Sequence, residues 1–322
     1  MKNAIRSLVL LTLTLAAPWS AARTDFPSRA ITFVVPYPAG GPADLIARAV
    51  ATRMSTLAGQ PVVVENRAGA SGNIAGEYVA RAAKDGYTLL FGSSPVLVIN
   101  PSLYKTLKFN PLKDFEPVAD FGSMPNAVLV NEALPVNSIP ELIAYSKAHP
   151  ATFASAGSGG TTHLSGLLFA KAAGISLMHV PYKGSAPALQ ALLGNQVTMT
   201  FTDVFTADPF LKANKLKILG VTSAERSALL PQVRTLQEQG MKDIDVSVFF
   251  ALLAPAGIPS EVQQFLVALS KRVQDDGELQ AQLKARGLNL PSQRTPEDLR
   301  RKMKTETEAW KRLITATGAS ID

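Results

Sequence analysis

The 322-residue chain contains no cysteine. That excludes disulfides, thiolate metal sites, cysteine nucleophiles and a lipid-bearing N-terminal cysteine. It fits an oxidising compartment, where a stray thiol is a liability. Histidine is scarce: His149, His163 and His179 are the three, and their spacing matches no metal pattern such as H-E-x-x-H. Beyond the N-terminus no stretch approaches the length of a membrane-spanning helix. Blocks of one charge sign are missing too. Arg48, Arg53, Arg67, Arg81, Lys212, Lys215 and Lys217 are scattered without interleaved aromatics, so no nucleic-acid partner is expected. Neither low-complexity tracts nor internal repeats occur.

What is present describes a well-buried globular protein, 47% hydrophobic and 18% charged, long enough for two domains. Lys2 and Arg6 precede an apolar run over 7–17, and Ser20, Ala21 and Ala22 offer small residues for cleavage. The run makes about 16 Å of helix, short of a bilayer core of roughly 30 Å. Residues 1–22 therefore read as a cleaved secretory signal, and the mature protein as soluble and exported, in a bacterium to the periplasm. Loss of Lys2 and Arg6 takes the formal charge from +7 to +5. This is either a mild attraction for anions or an ordinary basic surface.

Strand and helix signals alternate along the mature chain, the mark of an α/β fold with mostly parallel sheet. Strands are expected at 31–35, 62–64, 88–92, 127–130, 152–156, 176–180, 197–201, 216–221 and 247–254. Helices are expected at 43–57, 73–83, 140–148, 163–173, 186–193 and 207–213, followed by helix-rich segments at 260–286 and 296–317. The last segment has no βα series of its own and is expected to pack back on the first lobe. Crossover strands near 124–130 and 246–253 divide the chain into lobe 1 (23–124 plus 250–322) and lobe 2 (125–249). A ligand is expected between them, at the carboxyl ends of strands.

Two strand-turn-helix junctions, over 31–50 and 151–174, point to the chemistry. Each runs from a short β-type segment through glycine-rich backbone into an amphipathic helix. That geometry aims free backbone N–H groups and the positive end of a helix dipole at one point, which favours an anion. One such turn is common in α/β proteins. Two, in separate halves of the chain, suggest a carboxylate or phosphate clamped between lobes.

VVPYPAGGPADLIAR, VVVENRAGASGNIA, DGYTLLFGSS, NPSLYK, SAGSGGTTHLSG, VPYKGSAPAL and LLAPAGIP follow one another in this chain. From Phe26 to the C-terminus it resembles the Bug-type solute receptors, the extracytoplasmic binding proteins of tripartite tricarboxylate transporters. The resemblance implies a two-lobed periplasmic binding protein, type II-like, that closes on a small carboxylate and delivers it to a membrane permease. It also implies that backbone amides of the two glycine loops hold the carboxylate, partly through waters.

Tyr37, Ala39, Gly40, Gly41 and Ala43 are the first-loop candidates, with Tyr37 either a cleft wall or packed on its own lobe. Asp44 either complements the helix dipole and orders the loop, or meets an ammonium group or water on the ligand. Gly157, Ser158, Gly159, Thr161, Thr162 and His163 form the facing loop. Ser158 or Thr161 is also a candidate N-cap, and His163 reads as structural before chemical. Ser93, Ser94 and Asn73 are candidates at strand and turn ends. Thr202, Asp203 and Phe205 would shape the distal end; Thr202 stands where the family commonly has Asp, and Asp203 where it has Asn. Tyr182 and Lys183 follow a strand, and Lys183 is either solvated or set to neutralise a second carboxylate. No metal and no cofactor is expected, and a monomer is. A serine hydrolase is the enzyme alternative, but no G-x-S-x-G elbow, P-loop or GxGxxG spacing is present. A ligand-presenting role toward a membrane sensor kinase, in place of the permease, is the other alternative.

Overall fold

The structure, a computed structural model, describes residues 26–242 and 244–318. The signal segment expected at 1–22 lies outside the described residues. In chain order the elements begin β1 (Ile31–Val35), α1 (Pro42–Ala58), β2 (Val62–Asn66), α2 (Asn73–Ala80), β3 (Thr88–Ser93), α3 (Asn100–Leu103) and α4 (Pro111–Asp114). They continue with β4 (Phe115–Asn131), α5 (Ile139–Ala148), β5 (Thr152–Ser155), α6 (Thr161–Ala173), β6 (Met178–Pro181) and α7 (Ser185–Leu193). The chain closes with β7 (Met199–Asp203), α8 (Val204–Lys212), β8 (Leu216–Val221), β9 (Ser247–Pro255), α9 (Ser260–Gln274), α10 (Gly277–Ala285) and α11 (Pro296–Thr317).

Local chemistry accounts for most boundaries. Pro42 occupies the first turn of α1 and Gly59 ends it with φ of 67°. Thr295 and Asp298 form a capping box that starts α11. The helical stretch over 260–286 breaks in two because Asp276 accepts from Leu279 N–H and caps a new helix.

The strands run β2-β1-β3-β9-β4-β7-β5-β6, with β8 on β4. Two parallel blocks, β2-β1-β3 and β7-β5-β6, flank an antiparallel centre. In that centre β9 pairs antiparallel with β3 and β4, and β4 pairs antiparallel with β7 and β8. The sheet is therefore mixed, with its parallel pairs confined to the two ends. Strand β4 pairs with β9 as far as Pro125 and with β7 from Asn126 onward. It starts at Phe115, well before the expected 124. Pro117, Gly122 and Pro125 lie inside it, against strand composition, and register shifts at Pro117/Ala119 and Asp120/Gly122 absorb the irregularity.

One core lies under α1, α9 and α10 and includes Phe33, Phe91, Phe121 and Leu252. A second gathers Ala127, Leu129, Ala188, Leu192 and Val204. The third runs from Val34 and Leu90 through Val128 and Phe249 to Phe153, Phe169 and Phe201. Leu299, Met303, Trp310 and Ile314 of α11 complete it. Helix α11 thus packs against β4 and α3 and also reaches α6, beyond the first lobe on which it was expected to end. Arg300–Glu116 (2.6 Å) and Lys302–Asp120 (2.8 Å) tie it to β4. Among the described residues, no helix is long and apolar enough to cross a membrane.

Candidate functional site

Helices α1, α2, α6 and α7 follow the parallel strands β1, β2, β5 and β6, and each begins from a glycine: Gly41, Gly72, Gly160 and Gly184. None of the four has a side-chain cap. A side-chain oxygen at an N-cap would occupy a first-turn N–H; glycine leaves those donors to another partner. These helix starts lie at the carboxyl ends of the strands, where open α/β sheets bind ligands. Ser158 and Thr161, the expected caps, are displaced by Gly160, and α6 begins at Thr161, not His163.

The first loop is shaped by an ionic network. Asp44, with its side chain 2% exposed, is gripped in bidentate fashion by Arg48 (Nε–Oδ2 3.0 Å, Nη2–Oδ1 2.9 Å). It also accepts Gly40 N–H at 3.0 Å and Asn66 Nδ2 at 2.9 Å. Burial would raise its pKa, but the hydrogen bonds from Arg48, Gly40 and Asn66 outweigh that and hold it below the ordinary value. Of the two readings of Asp44, its partners fit the one in which it orders the loop, and the Gly40 amide belongs to the same network. Asn66 also donates to Tyr37 O at 3.0 Å. Ala39 and Gly40 are exposed, Gly41 is half-buried and Ala43 is buried. Tyr37 packs against its own lobe's core and shares a 2.8 Å hydroxyl–hydroxyl bond with Ser93; burial pushes its phenol pKa up. Ser94 accepts Phe249 N–H at 2.9 Å and so braces β9.

The second loop is shaped by neutral groups. Thr162 Oγ1 accepts Ala156 N–H at 3.0 Å, and His163 Nδ1 accepts Gly159 N–H at 3.1 Å. The His163 and His179 rings stack at 4.0 Å, and Phe153 stacks on His179 at 4.8 Å. Burial pulls both imidazoles down to about 4, with His179 adding to the effect on His163. His163 is therefore neutral near pH 7, with its hydrogen on Nε2, because Nδ1 is an acceptor. It supports the loop and does not present its Nδ1 to a ligand. Thr161 and Thr162 are buried, Gly157 is half-buried and Ser158 is exposed.

His179 Nε2 lies 2.7 Å from Ser155 Oγ. The pair is no nucleophile-base couple. Ser155 is fully buried, Oγ also contacts the Gly157 backbone, and among the described residues no carboxylate bonds to either imidazole.

Two features join the lobes at the cleft. Ser71 Oγ donates across it to Ser158 O at 2.7 Å. Ser71 sits in a run of positive φ from Gly69 to Gly72 (135°, 45°, 51° and 95°), held by Asn100, which donates to Ser71 O and Asn73 Oδ1. Asn73 thus braces the turn, and Ser71 makes the crossing. Arg286, beyond α10, lies 5.6 Å from the Phe205 ring on α8 and donates to Leu45 O on α1.

At the distal side Asp203 caps α8, accepting Thr206 N–H at 2.8 Å, Thr206 Oγ1 at 2.7 Å and Ser185 Oγ at 2.7 Å. Its carboxylate oxygens thus engage Ser185 of α7 and Thr206 of α8 and fix the start of α8. Thr202 is fully buried beside it; Phe205 and Tyr182 are half-buried, and Lys183 is exposed. Asn66, Ser71, Asn100, His179 and Arg286 escaped the sequence reading. Asn66 and Ser71 lie inside VVVENRAGASGN, where the glycines flanking Ser71 were the available signal.

The fold and cleft define a two-lobed periplasmic binding protein. The sequence pattern of the tripartite tricarboxylate transporter family receptor matches residues 46–319. The Bordetella pertussis protein BugT is 33% identical, the match covering 99% of this chain and 98% of BugT. MatC of Rhodopseudomonas palustris, solved with bound malate, superposes with a TM-score of 0.84 at 33% identity, covering 90% of this chain and 100% of MatC. A further R. palustris protein, solved with adipate, gives a TM-score of 0.87 at 34% identity, covering 92% and 100%. The chain belongs to the tripartite tricarboxylate transporter receptor family, of Bug type.

Proposed function

We propose that this receptor captures a small carboxylate in the periplasm, clamps it between the two glycine loops and delivers it to the membrane subunits of a tripartite tricarboxylate-type transporter. What supports the clamp is the pair of uncapped glycine starts, Gly41 and Gly160, each following a parallel strand in a different block of the sheet. Oriented amides satisfy a carboxylate without covalent chemistry, directly or through water. Reversible capture, not turnover, follows from that arrangement. The bound adipate and malate of the two R. palustris relatives support a carboxylate. We take the lobes as 23–124 plus 250–322 and 125–249, hinged where β4 changes partner, closing on ligand as two rigid bodies. The protein acts as a monomer, and family membership favours a permease over a sensor kinase as its partner.

A thermal-shift panel of the mature chain with small carboxylates, amino acids and sugars tests this reading. A rise in Tm confined to carboxylates is expected, because a ligand that binds only the folded state stabilises it. A response confined to uncharged sugars would overturn the reading.

A further inference from the structure

Gly69, Ala70, Ser71 and Gly72 adopt φ of 135°, 45°, 51° and 95°, four successive positive values. Glycine enters that region freely, but Ala70 and Ser71 carry side chains that disfavour it. Strain of this kind persists only where its surroundings impose it, and it gathers at ligand clamps and switch regions. Here the surroundings are explicit. Gly72 N–H donates to Gly69 O at 2.9 Å, and the buried Asn100 amide donates to Ser71 O at 3.0 Å. A β-carbon on Gly72 would come within 3.0 Å of Pro36 and 3.2 Å of Val96, and one on Gly69 within 2.5 Å of Ile74. The turn is thus wedged between the residues that follow β1 and those that follow β3.

What the strained turn achieves is the placement of one hydroxyl. Ser71 follows β2 in one parallel block of the sheet and Ser158 follows β5 in the other, yet Ser71 Oγ donates to Ser158 O at 2.7 Å. The acceptor is held as firmly as the donor. Ser158 lies between Gly157 and Gly159, with φ of 138° and 80°. Ser155 Oγ accepts Gly157 N–H at 3.3 Å, and His163 Nδ1 accepts Gly159 N–H at 3.1 Å. Each partner is fixed within its own block, and the bond spans the two. Ser71 is half-buried and Ser158 exposed, so water competes for the bond and it can break and re-form.

Resting on the receptor reading above, we infer that Ser71 is a positioning residue for closure: its hydroxyl latches the lobes together, maintains a closed population ahead of capture, and strengthens all ligands alike. A receptor whose binding-competent form is a fraction of its population binds with an affinity reduced by that fraction. The latch raises the fraction without touching the ligand. It therefore sets how tightly the protein binds, and the cleft sets what it binds.

Spin labels at Ala68→Cys and Ala186→Cys, exposed positions beyond β2 and at the start of α7, report the separation of the lobes. The chain has no cysteine of its own, so labelling is confined to those two. Pulsed electron resonance on the mature chain, without ligand and with adipate or malate, compares Ser71 with Ser71→Ala and Ser71→Gly. The unliganded wild type should show a closed population. Both substitutions should lower the ratio of closed to open about two- to tenfold, the worth of one neutral hydrogen bond. In calorimetry, whichever of the two acids binds should be weakened by that same factor. Ser71→Ala keeps the left-handed strain and Ser71→Gly relieves it, so either acting without the other would assign closure to strain and overturn the inference. Unequal weakening of the two acids would make Ser71 a ligand contact and overturn it as well. So would an unliganded wild type with no closed population, or a ratio that neither substitution moves; the receptor reading stands in each case if an acid still draws the labels together. Closure on an uncharged solute and on neither acid would overturn the carboxylate reading, whatever Ser71 does.

Discussion

The two glycine loops present similar backbone to the cleft but are held by opposite chemistry. The first is ordered by Asp44 and Arg48, a charged pair with Asn66 and the Gly40 amide closing the network. The second is ordered by a stack of neutral imidazoles, with Thr162 and Ser155 tying the turn. In both, the polar side chains serve the loop, and glycine at the N-cap leaves the first-turn amides of α1 and α6 without a capping side chain. On the proposed clamp, the difference teaches that an anion site needs no cation at its base. It needs oriented amides on a frame whose own charges cancel or are absent.

The comparison breaks most readily at the glycines. Gly40 and Gly159 adopt φ of 83° and 80°, where a β-branched side chain costs about 1–2 kcal/mol of backbone strain. Around Gly40 a β-carbon would meet nothing within 4 Å, so the fold should tolerate Gly40→Val. Gly40→Val and Gly159→Val should each lower carboxylate affinity at least a hundredfold by calorimetry, with a cooperative melt retained. Full affinity in either variant would show that its loop is not part of the clamp.

Asp44→Ala is the next largest effect. It removes the acceptor of three donors, one of them Arg48, and should cost about 2 kcal/mol in denaturant unfolding as well as weakening binding. His179→Ala should cost less, because the ring is half-exposed, its hydrogen-bond partner is the single Ser155 hydroxyl, and its other contacts are the His163 and Phe153 stacks. The reverse order would reverse the account of which loop carries more internal strength.

Acidification separates the loops further. The imidazole pKa values lie near 4 in the folded chain, below the ordinary 6.5. Between pH 6.5 and 4 the unfolded chain therefore takes up protons that the folded chain refuses, and stability falls as pH falls. Asp44, held below its ordinary value, stays charged through that window. The second loop should loosen first. A His163→Asn, His179→Asn double variant should flatten the loss measured between pH 7 and 5; an unchanged slope would refute the imidazole account.

The smallest effect isolates that slope. Burial pushes Glu306 on α11 up to about 7, with the Asp120 and Asp245 charges adding to it and Lys302 and Trp310 opposing. Its contribution is fully present below pH 4.5 and is lost as pH rises through 7, opposite in sign to the histidines. Glu306→Gln should raise Tm slightly at pH 8 and steepen the net fall toward acid. A lower Tm at pH 8 would contradict it.

The parts legible in the sequence were those set by neighbours in the chain. Pro42 and Gly59 bound α1, Thr295, Pro296 and Asp298 start α11, and both glycine junctions could be placed from local pattern. Strand β4 was read short because Pro117, Gly122 and Pro125 argue against a strand until β9 is known to lie alongside and bulges absorb them. The groups that finish the cleft come from distance: Ser71 meets Ser158 across 87 positions, and Arg286 meets Leu45 across 241. Loop ordering by Asp44 was one of its two readings from sequence, and the partners that carry it, Arg48 and Asn66, come from the structure, as does the capping role of Asp203 at α8.

A crystal structure of the mature protein with a saturating carboxylate found in the thermal-shift panel tests the clamp most directly. The account expects one carboxylate bonded, directly or through a single water, to first-turn amides of both α1 and α6. A carboxylate held by one lobe alone, or directed out to solvent, would contradict it.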